Sequence, residues 1–330
     1  MTLPHRPFGR TGRSVAPVGF GAWAIGGTWG EVAEADAKAA LHAGLDGGMT
    51  FIDTADVYGD GRSERIIRAV LAERGGELPY VATKAGRRLS PHVAEGYNAE
   101  NLTAFVDRSL ENLGVERLDL VQLHCPPSEV YDRPEAFDAL DGLKAAGKIA
   151  DYGISVETID EALRGIAHPG VVSVQIIYNL FRQRPARDFL PQAKAKGVAV
   201  IARVPLASGL LTGKMSKDSA FAPDDHRSFN REGQAFDKGE TFSGVPYDVA
   251  LEAVEALRPL VSEGATMAAW ALRWVLMEDA VSVVIPGAKS PGQARANAAA
   301  AGLPALTPDA IAAAREVYDR LVAPHVDHLW

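Results

Sequence analysis

The sequence predicts an α/β protein closed as a (β/α)8 TIM barrel, and three observations carry that expectation. Eight short, mostly apolar runs recur along the chain, and amphipathic stretches of helical length separate most of them. Several of those stretches end at glycine just before the next run, the usual signal of a helix C-terminus. The count of eight and the length of 330 residues favour a closed barrel over an open parallel sheet.

In chain order, "RPFGRTGRSVA" (6–16) reads as an N-terminal β-hairpin around a "GRTG" turn, placed to plug the bottom of the barrel. The first barrel strand is "APVGFG" (16–21). Helix "EADAKAALHAGLDGG" (34–48) leads to strand "MTFID" (49–53), and "SERIIRAVLAERG" (63–75), with Ser63 as its expected N-cap, leads to "PYVATK" (79–84). Next come "AENLTAFVDRSLENLG" (99–114) with "LDLVQLH" (118–124), and "RPEAFDALDGLKAAG" (133–147) with "IADYGIS" (149–155). Strand "VVSVQI" (171–176) is followed by helix "ARDFLPQAKAKG" (186–197) and strand "VAVIAR" (198–203). After this seventh strand runs a long loop, from about Val204 to Asp248, rich in Gly, Ser, Asp and Lys. Loops of that length are commonly functional. Helix "TMAAWALRWVLM" (266–277) and strand "AVSVVIP" (280–286) complete the barrel. No Pro/Ser/Gly-rich linker divides the chain, so residues 1–330 read as a single domain.

Composition narrows the function classes. A hydrophobic content of 47% with 23% charged residues is that of an ordinary globular protein. The formal charge of −8 argues against a nucleic-acid or anionic-membrane binder. One cysteine, Cys125, excludes an intrachain disulfide and any multi-cysteine metal site, and it suits a reducing compartment. The N-terminal stretch has no apolar core of a secretory signal, and "TMAAWALRWVLM" is too short to span a bilayer. Cytoplasmic residence is the expectation.

In such barrels side chains converge at the C-terminal ends of the strands. At or one residue before the ends of seven successive strands stand Gly21, Asp53, Lys84, His124, Ser155, Gln175 and Arg203, six of them polar or charged. Strand alternation puts Phe51 with Asp53, Ala82 with Lys84, and Leu120 with Gln122 and His124 on common faces. Each residue also has a plain structural reading: Asp53 and Lys84 as a buried ion pair, His124 as a rim histidine, Ser155 and Gln175 as loop-edge residues, Tyr58 as an exposed turn tyrosine. Convergence at one mouth shifts the weight towards chemistry. A Lys⁺ about 4 Å from a phenol, at an effective dielectric of about 20, favours phenolate by about 4 kcal/mol, roughly three pKa units as an upper figure. Tyr58 beside Lys84 then transfers a proton near neutral pH, Asp53 steadies the ammonium, and His124 orients a carbonyl oxygen. Asp56, in the turn between Asp53 and Tyr58, is left with a turn or rim role.

These motifs resemble those of the aldo-keto reductases. "FIDTADVYG", "ATKAG", "LGVERLDLVQLHCPP", "GKIADYGIS", "SVQIIYNLF", "PLASGLLTGK" and "SVVIPGAKSPGQARANAAA" are similar to successive family motifs, from about Arg6 to Ala301. "GFGAWAIGG" and "GLLTGK" most resemble the bacterial branch of general-stress and inositol-catabolism oxidoreductases. The resemblance implies a catalytic tetrad: Tyr58 as general acid in reduction, Lys84 lowering its pKa, Asp53 paired with Lys84, and His124 on the substrate. It implies a nicotinamide cofactor across the mouth, NADP(H) ahead of NAD(H), and a small carbonyl or alcohol substrate. Ser155 and Gln175 then hold the carboxamide, with Gly21, Ala22 and Trp23 at the nicotinamide end. Leu206, Gly209, Leu210 and Lys214 line the pyrophosphate, and Gly287, Lys289, Ser290, Gln293 and Asn297 lie around the adenosine. Four positions depart from the commonest pattern, one of them Ala296, which precedes Asn297 in place of Glu. Val156 stands where Asn often follows the serine, Arg203 replaces a nicotinamide-stacking tyrosine, and Gly287 replaces a phosphate-binding lysine; a guanidinium plane can also stack.

Other motifs give way. "GFGAWA" (19–24) fits a dinucleotide fingerprint with Asp46 as ribose acid, but "IGGTWGEV" stands where its helix must begin. "GLLTGK" is one residue short of a P-loop, and His325 and His328 lack a third metal ligand, so no metal is expected. Cys125, next to His124, is expected to face away from it. Two rivals stay open: a Schiff-base aldolase on Lys84, and a cofactor-sensing regulatory subunit with little turnover. Trp29, Tyr97, Arg87, Arg88 and the 204–248 loop are candidates for shaping the substrate pocket. Oligomeric state and reaction direction are not encoded in any motif.

Overall fold

In the computed structural model, which describes residues 3–27, 30 and 32–329, eight parallel strands follow one another around a single sheet. A hairpin precedes them, β1 (Arg6–Pro7) antiparallel to β2 (Ser14–Val15). The parallel strands are β3 (Phe20–Gly21), β4 (Phe51–Asp53), β5 (Tyr80–Ala85), β6 (Leu118–His124), β7 (Ile149–Ser155), β8 (Val171–Ile177), β9 (Ala199–Arg203) and β10 (Val281–Val284). They neighbour one another in chain order. Parallel bridges Val18–Val284 and Gly21–Gly287 join the first strand to the last. The Gly19 N–H donates to Val284 O at 2.9 Å and the Gly21 N–H to Pro286 O at 3.1 Å. Closure leaves no sheet edge exposed.

Alternation along the strands builds two cores. Phe51, Tyr80, Ala82, Leu120, Ala199, Ile201 and Val283 pack with one another inside the barrel. Their neighbours Ile52, Val81, Val121, Val200 and Val284 face the helix layer, with Leu41, Ile67, Leu102 and Trp270 among their partners. Phe8, from the hairpin, is fully buried in the inner core, with ring centroids 5.4 Å from Phe51 and 5.3 Å from Tyr80. The hairpin therefore plugs the barrel at the N-terminal ends of the strands, leaving the other end for the polar residues.

Helices Glu34–Asp46, Arg62–Glu73, Ala99–Leu113 and Pro134–Ala145 fall where the periodicity predicts. Gly114, which caps the third of these, is left-handed at φ +67°. Two local expectations are corrected. The predicted helix 186–197 is broken into Arg184–Asp188 and Leu190–Ala195 at Phe189, because Pro191 has no N–H to continue the ladder. Ser63 is not the N-cap of its helix: Gly61 is, and the buried Ser63 hydroxyl instead accepts from Thr54 Oγ1 at 2.8 Å and donates to Ala22 O at 3.1 Å. The 204–248 connection carries short turns at Ala207–Thr212, Lys238–Glu240 and Phe242–Gly244 and one turn of α-helix at His226–Phe229. Among the described residues no helix is long and apolar enough to cross a membrane.

Candidate active site

β4 ends at Asp53, and the turn that follows carries Tyr58 back over the barrel mouth. The Tyr58 N–H donates to Ala55 O at 3.1 Å, which tightens that turn. Lys84, near the end of β5, is almost fully buried. Its ammonium donates to Asp53 Oδ1 at 2.6 Å, to Thr54 O at 2.9 Å and to Tyr58 Oη at 3.3 Å. An ammonium has three N–H donors, so all are engaged. The phenol oxygen accepts from lysine, which leaves its own O–H free to donate towards the mouth. Asp53 Oδ2 accepts from Gln175 Nε2 at 2.6 Å and from Gln122 Nε2 at 3.3 Å. The buried carboxylate at the end of β4 is thereby paired and hydrogen-bonded on both oxygens.

Burial and charge set the protonation states. Burial raises the Tyr58 pKa above the ordinary phenol value, and Asp53 and Glu240 add to the rise, while Lys84 pulls it down. The net direction is upward, which corrects the expectation of a phenol brought near neutrality: Lys84 acts in the expected sense but is outweighed by desolvation and by its own counter-ion. For Lys84 burial acts to lower the pKa, yet Asp53 and Tyr58 bring the net result above the ordinary lysine value, so it stays an ammonium. His124 is held well below the ordinary imidazole range by burial, then by Arg87, Lys84 and Arg203. It is a neutral ring, edge-on to Tyr58 at 5.9 Å between centroids, and its Nδ1 has no hydrogen-bond partner among the described residues.

A cavity of about 540 Å³ runs from Tyr58 and His124 across the mouth. Gly21, Trp23, Ser155, Gln175 and Arg203 line it, as do Leu206, Gly209 and Lys214 and, beside the closing strand, Gly287, Lys289, Gln293 and Asn297. The Trp23 ring stacks 6.2 Å from Tyr58 and lies 4.9 Å from His226. Arg203 is pinned to Glu240 at 3.3 Å and to Val156 O at 3.0 Å, so the guanidinium that replaces a stacking ring is held by an ion pair. Three residues expected at the cofactor, Ala22, Leu210 and Ser290, are not in the lining of this cavity. The Ala22 and Leu210 side chains are fully buried in the core between barrel and helices. Ser290 is the N-cap of helix Pro291–Ala299, where its hydroxyl accepts from the Gln293 N–H at 3.3 Å. Gln175 lines the cavity and donates its Nε2 to Asp53, which leaves its Oε1 as the atom that can meet a carboxamide.

Several residues of the site are ones the motifs do not mark. Gln122 sits on the inward face of β6 two residues before His124, so alternation contained that signal. Arg227 lines the cavity with Lys214 and Lys289 and makes a bidentate pair with Asp225, at 2.9 and 2.6 Å. Arg227 and Glu240 come from the long connection, where no periodicity points to them. Cys125 also lines the cavity, against expectation: it stands one residue past the end of β6 at φ +45°, where strand alternation no longer applies. Burial pushes its thiol up to about 11, which keeps it protonated near neutrality and unsuited to nucleophilic attack. Arg88 pairs with Asp60 at 2.5 Å and Tyr97 is buried, while Trp29 lies outside the described residues.

The Aldo/keto reductase family model matches residues 17–319. The chain is 32% identical over 295 residues to aldo-keto reductase YhdN of Bacillus subtilis (strain 168), covering 87% of this chain and 85% of that one. It is 29% identical over 332 residues to a probable voltage-gated potassium channel subunit beta of Oryza sativa subsp. japonica, covering 94% of each. Among solved structures, glycerol dehydrogenase AKR11B4 from Gluconobacter oxydans superposes with a TM-score of 0.79 at 30% identity, covering 99% of this chain and 97% of that one. The holo form of aldo-keto reductase AKR11C1 from Bacillus halodurans gives 0.75 at 25% identity, covering 96% of each.

Proposed function

The chain belongs to the aldo/keto reductase family and is an NAD(P)H-dependent oxidoreductase; from that premise we propose that Tyr58 is its general acid and that NADP(H) is its preferred cofactor. The observation that carries the proton-transfer reading is the geometry of Lys84. With its three donors on Asp53, Thr54 and Tyr58, the ammonium fixes the phenol oxygen as an acceptor and aims the phenol proton at the mouth. A nicotinamide held in this cavity beside Trp23, Ser155 and Gln175 would supply the hydride. Tyr58 then delivers its proton to the alkoxide that forms on the substrate, and Lys84⁺ stabilises the phenolate left behind. The neutral His124 ring, beside Tyr58, orients the carbonyl oxygen. Asp53 keeps Lys84 charged.

The cavity's volume of about 540 Å³ and its cationic lining support a dinucleotide there. Lys214 and Lys289 bring two cations to it, beside an Arg227 already paired with Asp225, in a chain of formal charge −8. Burial, then repulsion from Arg227, lowers the Lys289 pKa, which an added phosphate would reverse. That local excess supports a 2′-phosphate and hence NADP(H) over NAD(H). We place the protein in the cytoplasm, acting as one domain on small carbonyl compounds; a lone buried cysteine fits that compartment.

The aldolase rival is opposed by Lys84 itself, whose pKa is raised and whose N–H donors are all engaged, whereas a Schiff base needs a free neutral amine. The deciding experiment follows NADPH and NADH oxidation against small aldehydes, sugar aldehydes and ketones, with Tyr58→Phe beside the native protein. The variant is expected to lose roughly 10²- to 10⁴-fold in kcat while cofactor affinity stays within a few-fold. Unchanged turnover removes Tyr58 from the mechanism. Tight cofactor binding with no turnover on any substrate favours a regulatory subunit instead.

A further inference from the structure

A second cavity, of about 450 Å³, adjoins the reaction site, and Cys125 stands in the wall of both. The proton-transfer chemistry makes no use of it. Phe236 lines it and reaches the active site through Trp23, at 6.0 Å between ring centroids, the same Trp23 that stacks on Tyr58. A substrate whose carbonyl sits at Tyr58 and His124 has this recess beside it.

The recess is rich in hydrogen-bond acceptors. Glu157, Glu161 and Asp237 line it, and Glu240 stands behind. Arg87, its only lining guanidinium among the described residues, is committed twice, to Glu157 Oε1 at 3.1 Å and to Glu240 Oε1 at 3.2 Å. Arg203 is likewise held by Glu240. Glu161 is satisfied by the Ser128 hydroxyl at 2.6 Å and by the Glu157 and Thr158 N–H groups at 2.9 and 3.0 Å. His92, the remaining titratable group of the wall besides Cys125, is pushed below its ordinary pKa by burial and by Arg87. Arg182 acts on Asp237 from behind the wall, so among the described residues four carboxylates gather about three guanidiniums. Glu157, at 33% side-chain exposure, is the most open of the paired groups.

We propose that this recess receives the far end of the carbonyl substrate and selects there for neutral or cationic hydrogen-bond donors, such as hydroxyls, against carboxylates, with Glu157 as the specificity-determining residue. The inference rests on the reductase reading of the neighbouring site. A hydroxyl placed in the recess donates to Glu157. A carboxylate placed there is desolvated beside like charges and finds no uncommitted cation. Removing a repulsive partner is therefore what relaxes the selectivity. Burial, then the Asp237 charge, raises the Glu157 pKa to about 7, so the discrimination strengthens as pH rises through neutrality and Glu157 ionises.

The test compares two aldehydes with the same ring, 4-(hydroxymethyl)benzaldehyde and 4-formylbenzoate, with unsubstituted benzaldehyde as the reference, in native protein and Glu157→Gln. In the native protein kcat/KM is expected to favour the hydroxymethyl compound by about ten-fold or more at pH 8 and by less at pH 6. Glu157→Gln is expected to narrow that ratio to about three-fold or less, chiefly through a lower KM for 4-formylbenzoate, and to flatten its pH dependence. Equal kcat/KM for the two substituted aldehydes, or a ratio unmoved by Glu157→Gln, overturns the inference while leaving the reductase reading intact. No reduction of any carbonyl compound, benzaldehyde included, overturns the reductase reading and the inference with it.

Discussion

At the scale of single residues, charge placement decides what each group of the site does. Asp53, Tyr58, Lys84 and His124 announce themselves by their places at strand ends and by motif spacing, and the structure brings all four to one mouth. Asp56 does not. Its motif suggests a turn residue, yet it is fully buried, with no side-chain hydrogen-bond partner among the described residues and only weak support from the Val57 backbone, Arg88 and Arg108. Burial, then the neighbouring Glu64, raises its pKa from 3.8 to about 7, a difference worth roughly 4 kcal/mol. Below about pH 4 the folded and unfolded chains both hold this proton. Between there and about pH 7 the unfolded chain releases it and the folded chain keeps it, so folding stability falls with rising pH and the loss levels off above that range. Asp56→Asn cannot ionise. It is expected to flatten this part of the profile and to be more stable relative to the native protein at pH 8 than at pH 5, as read from urea midpoints at the two pH values. A native-like slope in the variant assigns the pH dependence to other groups. Nothing in the sequence foretold this, because burial of a turn side chain depends on what the fold lays over it.

Among the elements, the turn that carries Tyr58 shows how closely two segments must meet. Gly59 adopts φ +60°, and a Cβ there would collide with the carbonyl oxygen of Gly26. From the other side, a Cβ at Gly26 would lie 2.6 Å from that of Tyr58. Both glycines are therefore needed for the turn to lie against the segment after β3. Gly59→Ala is expected to cost roughly 1–3 kcal/mol of folding stability from backbone strain alone. By displacing Tyr58 it should lower kcat more than it weakens cofactor binding. Denaturant unfolding combined with steady-state kinetics checks both parts, and unaltered turnover removes the turn from the mechanism. The sequence already marked this turn by its Gly and Asp content. The 204–248 connection was marked by its length and by its Gly, Ser, Asp and Lys content, neither of which says where its side chains go. That it supplies Arg227 to one cavity and Asp237 to the other follows from how the loop folds back, which no local periodicity encodes.

Over the whole molecule, barrel closure separates stability from chemistry. The apolar layers and the Phe8 plug occupy the N-terminal end, and the tetrad occupies the C-terminal end. Phe8→Ala opens a cavity under Phe51 and Tyr80 and is expected to cost about 3–5 kcal/mol. Turnover per folded molecule should stay within a few-fold of native, measured by thermal unfolding and by activity normalised to folded protein. A large drop in that normalised activity shows that the plug shapes the mouth as well. The sequence by itself determined the strand count, the inward parity of Asp53, Lys84 and His124, and the spacing from Asp53 to Tyr58, because period and spacing are local and survive without the fold. Only the tertiary structure decided that Gln175 serves Asp53, that Arg203 is locked to Glu240, that Cys125 turns into the cavity, and that Tyr58 keeps its proton beside Lys84. Those outcomes depend on distance and burial among segments far apart in the chain, where desolvation and paired charges compete and sequence order carries no measure of either.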